Sequence, residues 1–181
     1  MQLREKEIFL KNGKKAVLRS PEEKDAQKLI AFLKQSAAET DFLLCYPEER
    51  EMPEAIAEKM LASVLHSPYD MMISCFIGEK LVGNAQISIR REIKTAHRAT
   101  LALAVLQEVW GLGIGSALMR EMIAFAEKRC LLQLELSFME GNTRAEMLYK
   151  KMGFTAVSEN PNAYRLKDGN MKNEIFMIKS L

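Results

Sequence analysis

Apolar residues recur along the chain with two different periods, which predict a mixture of helices and strands. Every third or fourth residue is apolar after Ser20 and again after Pro53, which predicts two amphipathic helices. Ser20 is expected to cap the first of these helices, with Pro21 at its first position. Short apolar or alternating runs predict seven strands, at 15–19, 71–77, 81–89, 100–106, 131–138, 154–157 and 174–179.

Two further helices complete the pattern. A glycine-rich turn at 111–115 leads into a long amphipathic helix, and a short helix is predicted from Asn142 to Met152, before Gly153. The resulting order is a strand, two helices, three strands, a helix, a strand, a helix and two strands, which predicts a mixed α/β fold. Because no repeat or linker-like segment interrupts this order, one domain over 1–181 is expected.

Composition narrows the classes of function. Lys and Arg number 26 and Asp and Glu number 24, so the basic excess typical of a nucleic-acid binder is absent. The sequence has neither an apolar run long enough to span a membrane nor a secretory signal. Three cysteines without paired spacing and two histidines predict neither a disulfide framework nor a zinc site. We therefore expect a cytoplasmic protein with no bound metal, no nucleic-acid partner and no membrane contact.

The glycine-rich turn is the first candidate for a binding site. A helix that begins after glycines presents N–H groups without partners inside the helix, and its dipole favours an anion there. Spacing alone favours phosphate binding and a purely structural turn about equally. The turn lacks the Gly-Lys-Ser/Thr of a P-loop. It also fits a dinucleotide fingerprint poorly, because Ser116 replaces the third glycine and Glu135 lies inside the next strand rather than at its end.

Two segments, which follow each other at the separation typical of the family, resemble the GNAT superfamily of N-acetyltransferases, in particular its bacterial members. The segment 105–118 is similar to the acetyl-CoA loop of that family, with Gly113 and Gly115 in register and Trp110 where Arg or Gln is usual. The segment 142–154 is similar to the family pattern N-x-x-A…L-Y…G-F. The resemblance extends over nearly the whole chain. It implies a central mixed sheet flanked by helices, acetyl-CoA as co-substrate and no metal.

The same resemblance implies acetyl transfer to a primary amine by direct attack in a ternary complex. Tyr149 is the expected general acid for the departing thiolate, and it lies two helical turns after Asn142, on nearly the same face. The alternative for Tyr149 is simple packing in the core, and Asn142 is also suited to capping its helix. The residues expected to bind acetyl-CoA are Leu103, Val105, Trp110, Gly111, Leu112, Gly113, Ile114, Gly115, Ser116, Asn142 and Tyr149.

The general base and the acceptor are less well defined. His97 is the candidate base, because histidine is suited to proton transfer near neutral pH, and an ordinary surface histidine is the alternative. The segment 39–58 holds seven acids and one base, Arg50. An acidic border would favour a cationic acceptor, whereas the alternative is a solvated helix face. The acceptor is expected to be a small-molecule amine or a protein or peptide amine, and the sequence is compatible with a homodimer.

Two other classes of function stay open on the sequence. A non-catalytic acyl-CoA sensor on the same fold would need no proton donor beside the sulfur, so Tyr149 and Asn142 favour an enzyme. A nucleotide-binding oxidoreductase is disfavoured by the incomplete dinucleotide fingerprint. The three cysteines, Cys45, Cys75 and Cys130, match no nucleophile position of the family, so no covalent acyl-enzyme is expected.

Overall fold

The structure, a computed structural model, describes residues 2–181. It contains strands β1 (Lys6–Phe9), β2 (Lys15–Arg19), β3 (Asp70–Ile77), β4 (Lys80–Ile89), β5 (Arg98–Val105), β6 (Gln133–Met139), β7 (Thr155–Arg165) and β8 (Met171–Ser180). Its helices are α1 (Ala26–Ala38), α2 (Glu54–His66), α3 (Ile114–Lys128) and α4 (Thr143–Lys151). The strands form one mixed sheet in the order β1-β2-β3-β4-β5-β6-β8-β7. The predicted mixed α/β fold is confirmed.

The predicted strands and helices all occur in the predicted order, and one strand is added. The missed strand, β1, is four residues long, mostly exposed and paired with β2, so it lacks the apolar run that predicts a strand. Strand β7 runs eight residues past its predicted end at 157, although Pro161 lies within it. An irregularity in its pairing with β8, between Asn160 and Tyr164, accommodates the proline at this edge of the sheet.

The first helix begins later than predicted, and Ser20 does not cap it. The Ser20 hydroxyl instead accepts a hydrogen bond from Leu3 N at 3.0 Å, and α1 begins at Ala26 after a short 3₁₀ turn. The buried carboxylate of Asp25 pairs with both terminal nitrogens of Arg19, at 2.6 and 2.8 Å. Burial alone would raise the pKa of Asp25, but the hydrogen bonds from Arg19 hold it below its usual value. This ion pair ties the start of α1 to β2.

Helices cover both faces of the sheet. Gly83 of β4 lies against Ile114 and Leu118 of α3, while Met72 of β3 shares a small cavity with Leu61 of α2 on the opposite face. The apolar residues of these helices and strands form one continuous core. In the part of the chain that the structure describes, no helix is both long and apolar enough to cross a membrane.

Strands β5 and β6 separate in the middle of the sheet. They pair in parallel at 98–100 with 133–135, and the rest of β5 has no partner on that side. Strand β6 continues to pair with β8 along its whole length. The separation, which we call the splay, leaves the backbone of 101–105 facing a wedge-shaped opening. Unpaired backbone groups of this kind need another partner, such as water or a ligand.

Candidate active site

A large cleft opens at the splay, with a volume of about 1740 Å³. Its walls come from the end of β5, the start of α3, helix α4 and the segment that follows α1. All of the residues predicted to bind acetyl-CoA line this cleft: Leu103, Val105, Trp110, Gly111, Leu112, Gly113, Ile114, Gly115, Ser116, Asn142 and Tyr149. Segments more than 40 residues apart in the sequence are therefore brought together at one site, as the prediction requires.

The glycine-rich turn offers a row of unpaired backbone donors. Gly113 is the N-cap of α3 and has a φ of +96°, a conformation that favours glycine. The first backbone bond of the helix runs from Ala117 N to Gly113 O, at 3.0 Å. Within residues 2–181, none of the N–H groups of 111–116 donates a hydrogen bond. These donors and the positive end of the α3 dipole suit an anionic ligand such as a phosphate.

Gly115 is needed for packing rather than for backbone conformation. A Cβ at this position would lie 3.1 Å from a methyl carbon of Leu148 and 3.8 Å from one of Leu103. Its absence lets α3 approach both α4 and β5. At Gly113, in contrast, an added Cβ would meet nothing within 4 Å, so the positive φ is the constraint there.

Three cations near the turn were missed by the sequence reasoning, which looked for a basic residue only inside the turn. Lys11, Arg120 and Arg144 line the cleft. The Arg144 guanidinium lies 4.4 Å from the centroid of the Trp110 ring, and Lys11 N donates to Leu112 O at 3.2 Å. Arg120 lies two helical turns after Gly113 on α3, a spacing that could have revealed it. These cations give the cleft the positive charge that a polyphosphate requires.

The pairing of β5 with β4 shows which backbone groups face the splay. Leu106 N donates to Val82 O, and hydrogen-bonded pairs alternate along an antiparallel ladder. The N–H and C=O groups of Leu103 and Val105 therefore point away from β4, toward the splay. The Val105 carbonyl accepts a hydrogen bond from Trp110 Nε1 at 2.7 Å, so this tryptophan fixes the turn to the end of β5. Leu103 keeps both of its backbone groups free for a ligand.

Asn142 caps α4, as one of its two predicted roles requires. Its side-chain oxygen accepts a hydrogen bond from Ala145 N at 3.1 Å. The side chain also lines the cleft. Capping fixes the start of α4, and this in turn sets the position of Tyr149 two turns later.

Tyr149 is buried beside the splay, and its hydroxyl has no partner among residues 2–181. Its ring packs between Phe138 and Phe154, with centroids 5.8 and 6.2 Å away. Tyr149 therefore packs in the core, as the alternative interpretation of this residue predicts. Packing of the ring gives no role to its hydroxyl group. Burial raises the pKa of Tyr149 to about 12, so the hydroxyl keeps its proton throughout the neutral range.

His97 lies outside the cleft. It is an exposed residue just before β5, and its carbonyl accepts a hydrogen bond from Leu132 N at 2.8 Å. The residues of β5 that line the cleft begin at Thr100, three residues after His97, which is about 10 Å along the strand at about 3.3 Å per residue. The structure therefore does not place His97 where a base for the cleft would have to be.

The acidic segment 39–58 does not border the cleft in the expected way. Of its seven acids, Glu39 lines the cleft, and both of its carboxylate oxygens accept hydrogen bonds, from Gln35 and from the backbone of Gln107. Glu48 forms an ion pair with Lys167 on the surface. Most of these acids therefore fit the alternative interpretation, in which they lie on a surface exposed to solvent. The base of the segment, Arg50, does line the cleft.

A carboxylate that the sequence reasoning missed lies in the cleft. Glu174 of β8 accepts a hydrogen bond from the Ser137 hydroxyl of β6 at 2.6 Å, and the Tyr164 hydroxyl of β7 also donates to its carboxylate. Burial and the negative charge of Glu174 raise the pKa of the nearby Tyr164. Ser137 lies two residues past the last residue of β6 that pairs with β5. Only the pairing of β6, β7 and β8 brings these residues together, so no local sequence signal could have found them.

Comparisons with known proteins identify the family and the fold of the chain. Residues 35–154 match the model of the acetyltransferase (GNAT) family. The structure of a GNAT-family acetyltransferase from Streptococcus pneumoniae, 26% identical, superposes with a TM-score of 0.87 and covers 92% of this chain and 99% of its own. A phosphinothricin acetyltransferase of the GNAT superfamily from Sinorhizobium meliloti, solved in complex with acetyl-CoA, shares the fold at 18% identity, with a TM-score of 0.77 over 92% of this chain and 88% of its own.

A curated relative adds a match in sequence. The L-amino acid N-acetyltransferase AaaT of Escherichia coli (strain K12) is 28% identical over 109 residues, which are 60% of this chain and 66% of that protein, just under two thirds of its length. The family model covers more than half of this chain, including the glycine-rich turn and α4. The chain therefore belongs to the GNAT family of acetyltransferases and is an acetyl-CoA-dependent acyltransferase.

Proposed function

We propose that the protein transfers the acetyl group of acetyl-CoA to a primary amine, by direct attack in a ternary complex. The observation that carries this proposal is the meeting of three features in one cleft. They are the unpaired N–H groups of 111–116, the free edge of β5 and the unpartnered hydroxyl of Tyr149. The name of the curated relative, an N-acetyltransferase, supports an amine as the acceptor.

The glycine-rich turn and β5 would hold acetyl-CoA. The N–H groups of 111–116 would donate to its diphosphate, and Arg120 and Arg144 would add positive charge. The free N–H and C=O of Leu103 would bond to the amide groups of the pantetheine arm. An arm lying along the free edge of β5 leads to the splay, where Tyr149 lines the cleft.

Tyr149 would supply the proton that the leaving group needs. As the amine nitrogen bonds to the acetyl carbon and the C–S bond breaks, negative charge collects on sulfur, and the phenol can donate its proton there. A thiolate that leaves in a partly buried site is costly without a proton, so a phenol that stays protonated beside the sulfur would favour its departure.

Glu174 is our candidate for the group that holds the acceptor amine and takes up its proton. Its carboxylate, which accepts hydrogen bonds from Ser137 and Tyr164, lies in the cleft, close to where β6 leaves β5. A carboxylate there would attract the ammonium form of the acceptor. It would then receive the proton that the amine must lose before attack, directly or through a water molecule.

Substitution of Glu174 by glutamine should lower kcat/KM for the amine several-fold at neutral pH. The loss should shrink as the pH rises, because more of the amine is then already deprotonated. The measurement is the pH profile of kcat/KM from pH 6 to 10. Glu140→Gln is the matched control, since Glu140 is an exposed carboxylate outside the cleft. A Glu174→Gln variant with the wild-type pH profile would remove this residue from the mechanism.

Two assays together test the proposed function. Calorimetry should show binding of acetyl-CoA and none of NAD. A screen of amines, amino acids and peptides should then find acceptors that consume acetyl-CoA and release CoA. Binding without turnover across the whole screen would instead support a non-catalytic acyl-CoA sensor, and binding of NAD in place of acetyl-CoA would refute the assignment of the turn.

A further inference from the structure

Arg50 is a half-buried cation in the cleft that has no partner among residues 2–181. Its Nε atom is buried and makes no hydrogen bond, and no carboxylate among residues 2–181 forms an ion pair with its guanidinium. Other partly buried arginines are paired: Arg19 with Asp25, and Arg98 with Glu135. Burial of a charged donor without a partner costs free energy. An unpaired arginine that lines a cleft therefore points to an anionic ligand.

Contacts made by residues that precede Arg50 in its loop hold this residue in position. Arg50 ends the 3₁₀ turn Pro47–Arg50, which follows Tyr46. The Tyr46 hydroxyl accepts a hydrogen bond from Lys167 N at 3.0 Å, and the Lys167 ammonium lies 4.2 Å from the centroid of the Tyr46 ring. Lys167 also pairs with Glu48. These contacts tie the loop to the β7–β8 turn, so Arg50 is held in place before any ligand arrives.

The surroundings of Arg50 combine apolar surface with one carboxylate. Phe42, Leu43 and Leu44 precede it and line the same cleft, and the Leu44 side chain is 77% exposed. The carboxylate of Glu174 lies in this cleft too, on the sheet. The lining of the cleft therefore offers a cation, an anion and apolar surface, which a zwitterion with an apolar side chain would match.

We propose that Arg50 binds the carboxylate of the acceptor, so that the natural acceptors are free amino acids with apolar side chains. The inference rests on the proposed function. The amino group would face Glu174 and the thioester, and the side chain would lie against Phe42 and Leu44. Guanidinium and carboxylate groups pair through two parallel hydrogen bonds, which favours arginine for this role. A polyamine or an aminoglycoside would leave Arg50 unpaired and add a repelling charge.

The test uses acceptor pairs that differ only in the carboxylate. L-Leucine is compared with isoamylamine, and L-phenylalanine with phenethylamine, on the wild type and on Arg50→Gln. We expect Arg50→Gln to raise KM for the amino acids at least tenfold, and to leave KM for acetyl-CoA and the rates with the simple amines unchanged. Because each acceptor is compared between two proteins, differences in amine basicity between the paired acceptors cancel.

Two further variants separate charge recognition from structural damage. Arg50→Lys keeps the charge and should restore part of the amino-acid affinity, and Arg165→Gln, an exposed position outside the cleft, should behave as the wild type. An equal loss with both members of each pair would overturn the proposal, as would a wild-type enzyme that acetylates only the amines without a carboxylate. The second result would leave acetyl transfer intact, whereas failure to acetylate any amine would refute the proposed function itself.

Discussion

Replacement of Tyr149 by phenylalanine should lower kcat about a hundredfold, the lower end of the range for general-acid catalysis. The ring and its contacts with Phe138 and Phe154 would remain, and the hydroxyl bonds to no residue of 2–181. The melting temperature and the affinity for acetyl-CoA should therefore change little. We would measure kcat by steady-state kinetics with a saturating acceptor, and the melting temperature by thermal unfolding.

Tyr69→Phe is the matched control, because Tyr69 is a partly exposed tyrosine outside the cleft. It should leave kcat unchanged. A folded Tyr149→Phe variant with wild-type kcat would show that this residue only packs in the core.

The raised pKa of Tyr149 also has a consequence for the pH profile. Because burial raises this pKa to about 12, the phenol stays protonated well above neutral pH. Loss of the proton from Tyr149 should therefore not reduce kcat below about pH 10, two units under its pKa. A fall in kcat of the wild type between pH 7 and 9 that disappears in Tyr149→Phe would contradict this assignment.

Replacement of Gly113 by valine should weaken acetyl-CoA binding at least thirtyfold, about 2 kcal/mol. The φ of +96° at Gly113 is strongly disfavoured for a β-branched residue, so the turn would have to change its backbone conformation. The N–H groups of 111–116 would then lose their common direction. Loss of even one hydrogen bond to a charged phosphate costs about 1.5–3 kcal/mol. Calorimetric titration with acetyl-CoA makes the measurement.

Gly78→Val is the control for backbone strain. Gly78 also has a positive φ, +56°, and an open surrounding, but it lies in the β3–β4 turn, outside the cleft. It should lose stability without losing affinity for acetyl-CoA. If Gly113→Val folds and binds acetyl-CoA as the wild type does, the turn does not hold the diphosphate.

The features that could be predicted from sequence are those that lie in one short segment. The turn at 111–115 and the start of α3 are contiguous, so the spacing of the glycines alone predicts a helix with free N–H groups. Asn142 and Tyr149 share a helix, and their seven-residue spacing places both on the wall of the cleft. Strand β5 could be recognised as central because it is apolar on both faces.

The features that could not be predicted depend on tertiary pairing. Ser137 and Glu174 meet only because β6 pairs with β8, and nothing local marks either residue as part of a site. The acidic segment 39–58 left two interpretations open for a similar reason. Except for Glu39, its acids do not line the cleft, whereas Arg50 does. His97 directly precedes β5, as the sequence predicts, but the splay begins only after Thr100, so His97 does not line the cleft.

The most direct test of direct transfer to an amine uses acetyl-CoA with an isotopically labelled acetyl group. The protein is incubated with this substrate and an acceptor found in the screen, and both the acceptor and the protein are followed by mass spectrometry. Direct attack predicts that the label appears on the acceptor nitrogen as fast as CoA is released. It predicts no labelled protein, at Cys45, Cys75, Cys130 or elsewhere. A labelled protein that forms first and then passes its label to the acceptor would contradict direct attack in a ternary complex.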